Sequence, residues 1–320
     1  MADIPYFSVC IPTYNRHRYL ADMVDSMLAQ EFGDWELVIV DNASSDDTPK
    51  ALSALGKDGR IRIMRESEHV GMTENFNRCL AYCRGRNVML LTDKDRLRRN
   101  ALLRIRDFLE REKTDLTYFN YCAYDEQDRK IYDKRQSPFY FERERTWDPA
   151  EFTGLCRKNA MMVTTIGLNF VMPREFMEKH GLRFGDYYRN DVFLFLSALK
   201  AARRIGYIPE PLVAFRSISA YSYKREPDVL NRVKRDYVKL HEALGIRADE
   251  RTLRDWTDAE DRMLTAGGFP GRTAAFLASM RFVLLDPRLL EVKISQAAFF
   301  VQKYVLAKAR KRSGRDEIIG

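Results

Sequence analysis

The stretch Asn87–Asp95, NVMLLTDKD, joins a short apolar run to an acidic loop. The apolar part has the length of a buried β-strand, and Asp93 and Asp95 follow it with Lys94 between them. Aspartates two positions apart in a loop can reach a divalent cation and the sugar phosphate that it carries, because Mg²⁺ and Mn²⁺ prefer oxygen ligands. A solvated acidic turn is the alternative to a cation site, and the two can be distinguished only by considering the rest of the sequence.

Similar units of strand and helix come before this stretch. Strands are predicted at Tyr6–Ile11, Trp35–Val40, Arg60–Met64 and Asn87–Leu91, and helices at Arg18–Gln30, Ser44–Leu55 and Met72–Gly85. This alternation with short connections predicts a parallel sheet with helices on both faces. Because ligands bind at the carboxyl ends of the strands in such sheets, we expect the loops after Ile11, Val40 and Leu91 to line one site.

Beyond Asn100 the chain mixes helices with aromatic strands. We predict a helix at Asn100–Glu112, a hairpin at Asp115–Asp133 with its turn near Asp125–Asp128, a strand-like segment at Val163–Met172, a helix at Arg189–Arg204 and strands at Ile205–Ile208 and Pro209–Arg216. From about Glu226 onward the pattern is mostly helical. The fold class expected from these patterns is α/β with a helical carboxyl-terminal region.

Composition limits the kinds of partner and cofactor. The 320 residues carry a formal net charge of +8, which favours anionic partners such as nucleotides, nucleic acid or an anionic membrane surface. The five cysteines form no CxxC pair and the four histidines lack ligand spacing, so we expect reduced thiols and no zinc site. The amino terminus lacks signal-peptide features, and no apolar run reaches the roughly 18–20 residues of a membrane span.

The loop after the second strand, VDNASSDDT (Val40–Thr48), carries another carboxylate. Asp41 stands where the strand ends and could accept a hydrogen bond from a base N–H or a ribose hydroxyl. Alternatively, Asp41 and Asn42 form an ordinary turn, and the serines after them cap a helix. No GxGxxG, GxxxxGK[ST] or GxSxG motif is present, which argues against dinucleotide dehydrogenases, P-loop NTPases and hydrolases with a nucleophile elbow.

Four segments, taken in order, resemble the nucleotide-binding half of the family 2 glycosyltransferases. They are SVCIPTYNR, LADMVDSMLAQEFGDWELVIVDNASSDDT, HVGMTENFNRCLAYCRG and VMLLTDKD. The resemblance is strong over about residues 6–100 and continues more weakly to Arg216. It implies the GT-A fold, a Rossmann-like and mostly parallel mixed sheet with flanking helices. It also implies transfer of a hexose or deoxyhexose from a nucleotide diphosphate sugar, with inversion at the anomeric carbon.

The resemblance also implies roles for particular residues. Asp41 would hold the base, Asp93 would face the ribose or sugar, and Asp95, with Asp93, would bind Mn²⁺ or Mg²⁺ on the donor diphosphate. Asp191 would be the catalytic base that deprotonates the acceptor hydroxyl, with Asp186 as its rival. The implied nucleotide-sugar set comprises Pro12, Thr13, Tyr14, Asp41, Asn77, Asp93, Lys94 and Arg216.

The chain departs from the family pattern at several of these positions. Asn42 replaces a second aspartate, His69 replaces an asparagine, Asn190 replaces a glutamate, and Ile218 replaces a histidine that could contact metal or diphosphate. The cation Lys94 in the middle of the acidic loop lowers the attraction for a metal, and it could meet a phosphate directly.

These expectations divide the chain into three parts. Residues 1–100 would form the nucleotide-sugar-binding half, residues 101–224 the acceptor-binding and catalytic half, and residues 225–320 a helical extension. The expected partners are a nucleotide diphosphate sugar and a saccharide or polyprenyl-linked acceptor of polysaccharide, O-antigen or capsule type. A degenerate member that binds nucleotide sugar without turnover is the alternative. A nucleic-acid-binding protein ranks last, because no nucleic-acid module is recognisable.

The segment Val292–Arg315 contains seven lysines and arginines and no acidic residue. A basic amphipathic helix there would suit an anionic membrane surface, which would place a cytoplasmic protein on the inner face of the plasma membrane. An ordinary helix packed on the body of the protein, followed by a basic tail, explains the same pattern equally well.

Overall fold

The computed structural model describes residues 4–124, 128, 130–132, 141–158, 167–187, 190–216 and 229–245. Two compact units make up the chain, Met1–Arg157 with Met162–Ser222 and Lys158–Met161 with Tyr223–Gly320. The predictions on Ile218 and on the basic segment Val292–Arg315 lie outside the described residues. Within the described residues, no helix has the length and apolar composition that crossing a membrane requires.

The described elements alternate along the chain much as predicted. The strands are β1 (Phe7–Thr13), β2 (Trp35–Asp41), β3 (Ile61–Arg65), β4 (Asn87–Leu90), β5 (Arg96–Leu97), β6 (Leu116–Tyr124), β7 (Lys130–Tyr132), β8 (Arg145–Trp147), β9 (Phe170–Pro173) and β10 (Ile205–Arg216). The helices are α1 (His17–Leu28), α2 (Thr48–Leu55), α3 (Met72–Tyr82), α4 (Ala101–Glu112), α5 (Pro149–Lys158), α6 (Arg174–Lys179), α7 (Asn190–Ala201) and α8 (Val229–Ala243).

One mixed sheet organises the first unit. Its strand order is β3-β2-β1-β4-β9-β6-β10-β5, with β7 beside β6 and β8 beside β10. The strands β3, β2, β1 and β4 are parallel, as predicted, and β9 is antiparallel to both β4 and β6. β6 and β10 pair in parallel, and β7 completes the predicted hairpin with β6. The carboxyl ends of β1, β2 and β4 therefore meet at one edge of the sheet.

Helices cover both faces of this sheet because its strand residues alternate between two apolar layers. On one face, the side chains of β1 and β2 share a buried core with the apolar faces of α1 and α4. On the other face, β1 presents Cys10 to Cys79 and Cys83, which lie in and just after α3. All five cysteines are free and buried, and Cys79 and Cys83 pack in the core.

Two proline-containing strands run further than the sequence predicted. β1 continues through Pro12 to Thr13. Cys10 O accepts a hydrogen bond from Leu91 N on the β4 side of the strand. Pro12 is two residues later and so faces the same side, where pairing with β4 has already ended and no N–H is needed. Ile205–Arg216 is one strand rather than two, because register shifts on either side of Pro211 accommodate the prolines.

The α3 helix ends at Tyr82 rather than at Gly85. The reason for Gly85 is a close approach of two backbones, because a Cβ at this position would lie 2.5 Å from Ser8 N and 2.6 Å from Phe7 C. The amide of Gly85 donates to the Ser8 hydroxyl at 2.7 Å. Gly85 therefore lets the chain pass against β1 before β4 begins.

A buried carboxylate joins β1, β2 and the α3–β4 connection at the amino-terminal edge of the sheet. Glu36 accepts hydrogen bonds from the Ser8 hydroxyl at 2.5 Å, from Arg84 N at 2.7 Å and from Arg62 at 2.9 Å. Burial would raise the pKa of Glu36, but these hydrogen bonds outweigh it and hold the pKa below its ordinary value. The ionised form of Glu36 therefore stabilises the folded state.

We expect Glu36→Gln to lower the free energy of unfolding at pH 7 by about 1.5–3 kcal/mol, the range for hydrogen bonds to a charged group. The folded-state pKa of Glu36 is depressed, so its stabilising effect is complete above the unfolded pKa of about 4.3 and is lost as the pH falls below it. The free energy of unfolding measured with urea should thus fall more steeply below pH 5 for the wild type than for the variant. Glu31→Gln, which breaks an exposed pair with Arg99, is the control and should cost less than about 1 kcal/mol. Parallel pH profiles for Glu36→Gln and the wild type would contradict this role.

Candidate active site

The carboxyl ends of β1, β2 and β4 gather several polar side chains, as the sequence predicted. Thr13 pairs with Asp41 in the register of β1 and β2, and its hydroxyl donates to Asp93 Oδ2 at 2.8 Å. Asn42 N donates to Thr13 O at 3.0 Å. Asp41, Asp93 and Asp95 are all buried. Residues up to 80 positions apart in the chain thus form one polar cluster.

Asp41 offers one unused acceptor atom to this cluster. Its Oδ1 accepts a hydrogen bond from Ser44 N at 3.0 Å. Its Oδ2 is buried and has no hydrogen-bond partner, with Arg65 Nε 3.8 Å away. A buried carboxylate oxygen without a donor costs free energy, so its presence at a strand end marks a place where a ligand N–H or O–H can bind.

Two rings lie near Asn42, the residue after Asp41. The ring centroids of Tyr14 and His69 are 4.1 Å apart and their planes are inclined by 33°. Tyr14 is 40% exposed, and His69 Nδ1 lies 3.3 Å from Asn42 O. Pro12 is buried within β1, one position before Thr13. Tyr14 therefore offers an exposed ring, on which a nucleobase can stack, at the end of the strand that pairs with Asp41.

The acidic loop after β4 is held by hydrogen bonds within the protein. Asp93 Oδ1 pairs with Arg16 at 3.2 Å, and Asp95 Oδ2 accepts from Thr92 N at 3.1 Å and from the Thr92 hydroxyl at 2.6 Å. Burial raises the pKa of Asp95 to about 6 and also raises the pKa of Asp93. Burial lowers the pKa of the half-buried Lys94 that stands between them.

These carboxylates fit a divalent cation unequally. Asp93 is ion-paired with Arg16, whereas Asp95 Oδ1 accepts a long bond of 3.3 Å from Arg216 N and retains lone-pair capacity for a hard cation. Among the described residues, no group of three or more His, Cys, Asp or Glu side chains is placed to hold a metal. A cation at Asp95 would therefore need water and ligand phosphate oxygens to complete its coordination, which is usual for Mg²⁺.

Arg216 closes one side of the site at the end of β10. Its guanidinium pairs with Asp22 of α1 and lies 3.3 Å from Asp128. Arg96 joins the same network through Asp22 and Asp128. Arg216 is 8% exposed, and its Nε is buried without a hydrogen-bond partner. The backbone of Arg216 thus supports Asp95, while its side chain is directed to Asp22 and Asp128.

Asp191 lies in the first turn of α7. Its Oδ1 accepts from Val192 N at 2.9 Å, and the side chain is partly exposed. The neighbouring Asn190 is buried, and its amide donates to the Thr73 hydroxyl of α3 at 3.4 Å. Asp186, the rival candidate, is exposed in the segment before α7. The aromatic and aliphatic residues that follow Asp191 are buried and anchor α7 in the core.

Asn77 makes its contacts with the backbone rather than at the strand ends. Its Nδ2 donates to Phe184 O at 3.0 Å, and its Oδ1 accepts from Phe184 N at 2.8 Å. Both halves of the amide group are therefore engaged by the segment that leads to α7. In this structure Asn77 holds that segment against α3.

Two further residues of the site, and one in the first turn of α3, were not singled out from the sequence. Arg16 pairs with Asp93, Asp22 pairs with Arg216, and Asn75 in the first turn of α3 carries a buried Oδ1 without a hydrogen-bond partner. Arg16 directly follows the PTYN segment, so its position gave a signal. No such signal marks Asp22 or Asn75 in the sequence, because each lies in a predicted helix where an ordinary surface or core position accounts for it.

Comparison with solved structures agrees with this architecture. The chain superimposes on a crystal structure of TarS 1-349 from S. aureus in complex with UDP-GlcNAc with a TM-score of 0.61 and 15% identity, covering 98% of this chain and 94% of that one. This is the GT-A fold, a mixed α/β sheet with flanking helices.

Comparison of sequences identifies the family. The model of Glycosyl transferase family 2 matches residues 8–166, close to half of the chain. TuaG of Bacillus subtilis, a putative teichuronic acid biosynthesis glycosyltransferase, is 31% identical over 37% of this chain and 47% of its own length. The GalNAc(5)-diNAcBac-PP-undecaprenol beta-1,3-glucosyltransferase of Campylobacter jejuni is 36% identical over 31% of this chain and 33% of its own.

The amino-terminal half of the chain, residues 8–166, therefore belongs to glycosyltransferase family 2. The chain spans less than half of the length of these two curated relatives.

Proposed function

We propose that this protein is an inverting glycosyltransferase that moves a sugar from a nucleotide diphosphate sugar to a hydroxyl of a saccharide acceptor. One observation carries the proposal. The buried Asp41 presents an oxygen without a hydrogen-bond donor, and the exposed Tyr14 follows Thr13, the strand-register partner of Asp41, at the same sheet edge as the Asp93–Asp95 loop. Base recognition and diphosphate recognition can thus occur side by side in one site.

In this proposal the chain's own residues bind, orient and move a proton. Asp41 Oδ2 accepts the base N–H, and Thr13 with Asp93 faces the ribose. Asp191 takes the proton of the acceptor hydroxyl as the hydroxyl attacks the anomeric carbon, which breaks the bond to the diphosphate and inverts that carbon. Positioned general bases contribute roughly 10²–10⁴-fold to rate. A divalent cation at Asp95, when bound, would neutralise charge that develops on the leaving diphosphate.

The acceptor side of the proposal rests on the relatives and on the net charge. One relative is named for GalNAc(5)-diNAcBac-PP-undecaprenol and another for teichuronic acid biosynthesis. We extend this to an acceptor that is a saccharide, free or lipid-linked, in the synthesis of a surface polysaccharide. The basic segment Val292–Arg315 supports adsorption to an anionic membrane surface, which flotation of the full chain with anionic vesicles would measure.

A thermal-shift panel of UDP, GDP and ADP, each with Mn²⁺ or EDTA, tests the proposed donor site. We expect at least one of them to raise the melting temperature, because a ligand at 100 times its Kd adds about 2.7 kcal/mol of stability. Asp41→Asn keeps an acceptor for Ser44 N but replaces the unused oxygen with a donor, so it should weaken that ligand about ten- to a hundredfold.

The control for this test is Asp47→Asn, the same chemical change on an exposed acid of the same loop, which should leave the shift unchanged. A wild type that none of the three nucleotides stabilises would reject the proposed donor site. Stabilisation by a nucleotide without any hydrolysis or transfer of the matching nucleotide sugars would instead favour a degenerate binding protein, the alternative suggested by Lys94 and Ile218.

A further inference from the structure

Helix α3 lies between the proposed base-binding loop and the segment that leads to Asp191. At its amino-terminal end, the Asn42 side chain forms two hydrogen bonds with the backbone of Val70. Asn42 Nδ2 donates to Val70 O at 2.8 Å, and Val70 N donates to Asn42 Oδ1 at 2.9 Å. Asn42 directly follows Asp41, and Val70 lies two residues before α3. The base-binding loop is therefore fastened to the start of α3.

The same type of contact recurs between α3 and the segment before α7. Asn77 forms the two hydrogen bonds with Phe184 N and Phe184 O, and Phe184 is 2% exposed. The ring of Phe76 meets the ring of Phe184 edge-on, with centroids 5.1 Å apart. Thr73 accepts the bond from Asn190, the residue before Asp191. Phe76 and Asn77 lie three and four positions after Thr73, so both neighbour Thr73 on the helix surface.

We propose that Asn77 and Asn42 are positioning residues that make α3 a rigid link between donor binding and the placement of Asp191. The proposal rests on the proposed function, since it concerns the same donor site and the same catalytic base. An occupied base site restrains the loop at Asp41 and Asn42. The two amide contacts pass that restraint through α3 to Phe184 and Asn190, and so to the first turn of α7.

The chemistry of an amide explains why asparagine stands at both positions. Each contact needs one donor and one acceptor in the same side chain, facing a backbone carbonyl and a backbone N–H. A carboxylate supplies two acceptors and would face Val70 O or Phe184 O with a lone pair. The family resemblance leads one to expect a second aspartate at position 42. Asn42 instead forms both hydrogen bonds with Val70, one of which an aspartate could not form.

Hydrogen exchange with UDP as the probe tests this link without relying on activity. In the wild type, UDP that binds at Asp41 should slow exchange of the Phe184 amide and of its neighbours at 181–187 by severalfold. In Asn77→Asp the basal exchange of the Phe184 amide should be faster, and UDP should no longer slow it. Glu74→Gln on the exposed face of α3 is the control and should behave as the wild type.

Kinetics separates positioning from simple stabilisation. Asn77→Asp should bind UDP within about twofold of the wild type, while the kcat for hydrolysis or transfer of the matching nucleotide sugar falls about ten- to a hundredfold. Such a loss is expected because small displacements of a catalytic group are costly. Thr73→Val, which removes only the link to Asn190, provides a milder variant should Asn77→Asp not fold, and its kcat should fall with UDP affinity unchanged.

Two results would overturn the inference while leaving the proposed function in place. The first is UDP binding to the wild type with no change of exchange at Phe184. The second is a proportional loss of UDP affinity and kcat in Asn77→Asp and Thr73→Val, which a purely structural role would produce. A wild type that does not bind UDP and is stabilised by neither GDP nor ADP would reject the proposed donor site and the link together.

Discussion

Replacing Asp191 by asparagine should lower turnover by about 10² or more and leave the affinity for the donor nucleotide nearly unchanged. Asparagine keeps the size of the side chain and an oxygen that can accept from Val192 N, so α7 should keep its first turn. The amide cannot take a proton from the acceptor hydroxyl at neutral pH. The reaction thus loses its general base, whereas the candidate sites for the nucleobase and the diphosphate at the strand ends are unchanged.

The measurement pairs single-turnover transfer with calorimetric binding of the nucleotide that gives the largest thermal shift. Asp186→Asn is the matched control, because Asp186 is an exposed aspartate in the segment just before α7. It should retain more than half of the wild-type rate. Near-normal turnover in Asp191→Asn together with a large loss in Asp186→Asn would transfer the catalytic role to Asp186.

The second large effect is expected at Asp95. With Mn²⁺ present, Asp95→Asn should reduce the affinity for the donor diphosphate to the value that the wild type shows with EDTA. Because Asp95 is buried and its Oδ1 accepts a long bond from Arg216 N, it is the carboxylate best placed to add a metal ligand. Asparagine preserves an acceptor for the two Thr92 donors, but it replaces the oxygen that faces Arg216 N with an NH2 group and removes the charge that holds the cation. The expected loss is about ten- to a hundredfold, as for a charge-assisted contact.

Lys94 provides the opposing test for the same loop. If the lysine holds a phosphate itself, Lys94→Ala should weaken nucleoside diphosphate binding by a similar factor even with EDTA. If a cation at Asp95 holds the diphosphate, Lys94→Asp should instead tighten Mn²⁺. Isothermal titration of UDP into each variant, with Mn²⁺ and with EDTA, distinguishes these outcomes. Wild-type turnover that is unaffected by exhaustive chelation would reject the metal at Asp95.

Much of the parallel part of the sheet, β1 to β4, could be predicted from the sequence. The alternating apolar patterns located β1 to β4 and the helices between them to within a few residues, because a strand or helix that covers a core must show its period in the sequence. The boundaries at Pro12 and Pro209–Pro211 were wrong for a physical reason. Whether a proline ends a strand depends on which neighbour its missing N–H would face, and that neighbour is set by the sheet.

The carboxylates of the site were also visible in the sequence, but their partners were not. Asp41, Asp93 and Asp95 follow strands in a parallel pattern, which predicts that they lie at one edge. The pairing of Arg16 with Asp93 and of Asp22 with Arg216 depends on contacts across 77 and 194 positions of the chain. Such contacts cannot be predicted from the local sequence.

The class of fold, the sheet edge of the candidate site and the three carboxylates at that edge could all be predicted from the sequence. They follow from periodicity and from chain direction, which are local properties of the sequence. Which groups the polar side chains contact could be seen only in the three-dimensional structure. Asn77 bonds to the backbone of Phe184, Asn42 bonds to that of Val70, and one buried oxygen of Asp41 has no hydrogen-bond partner, because such partners are set by proximity in space and not along the chain.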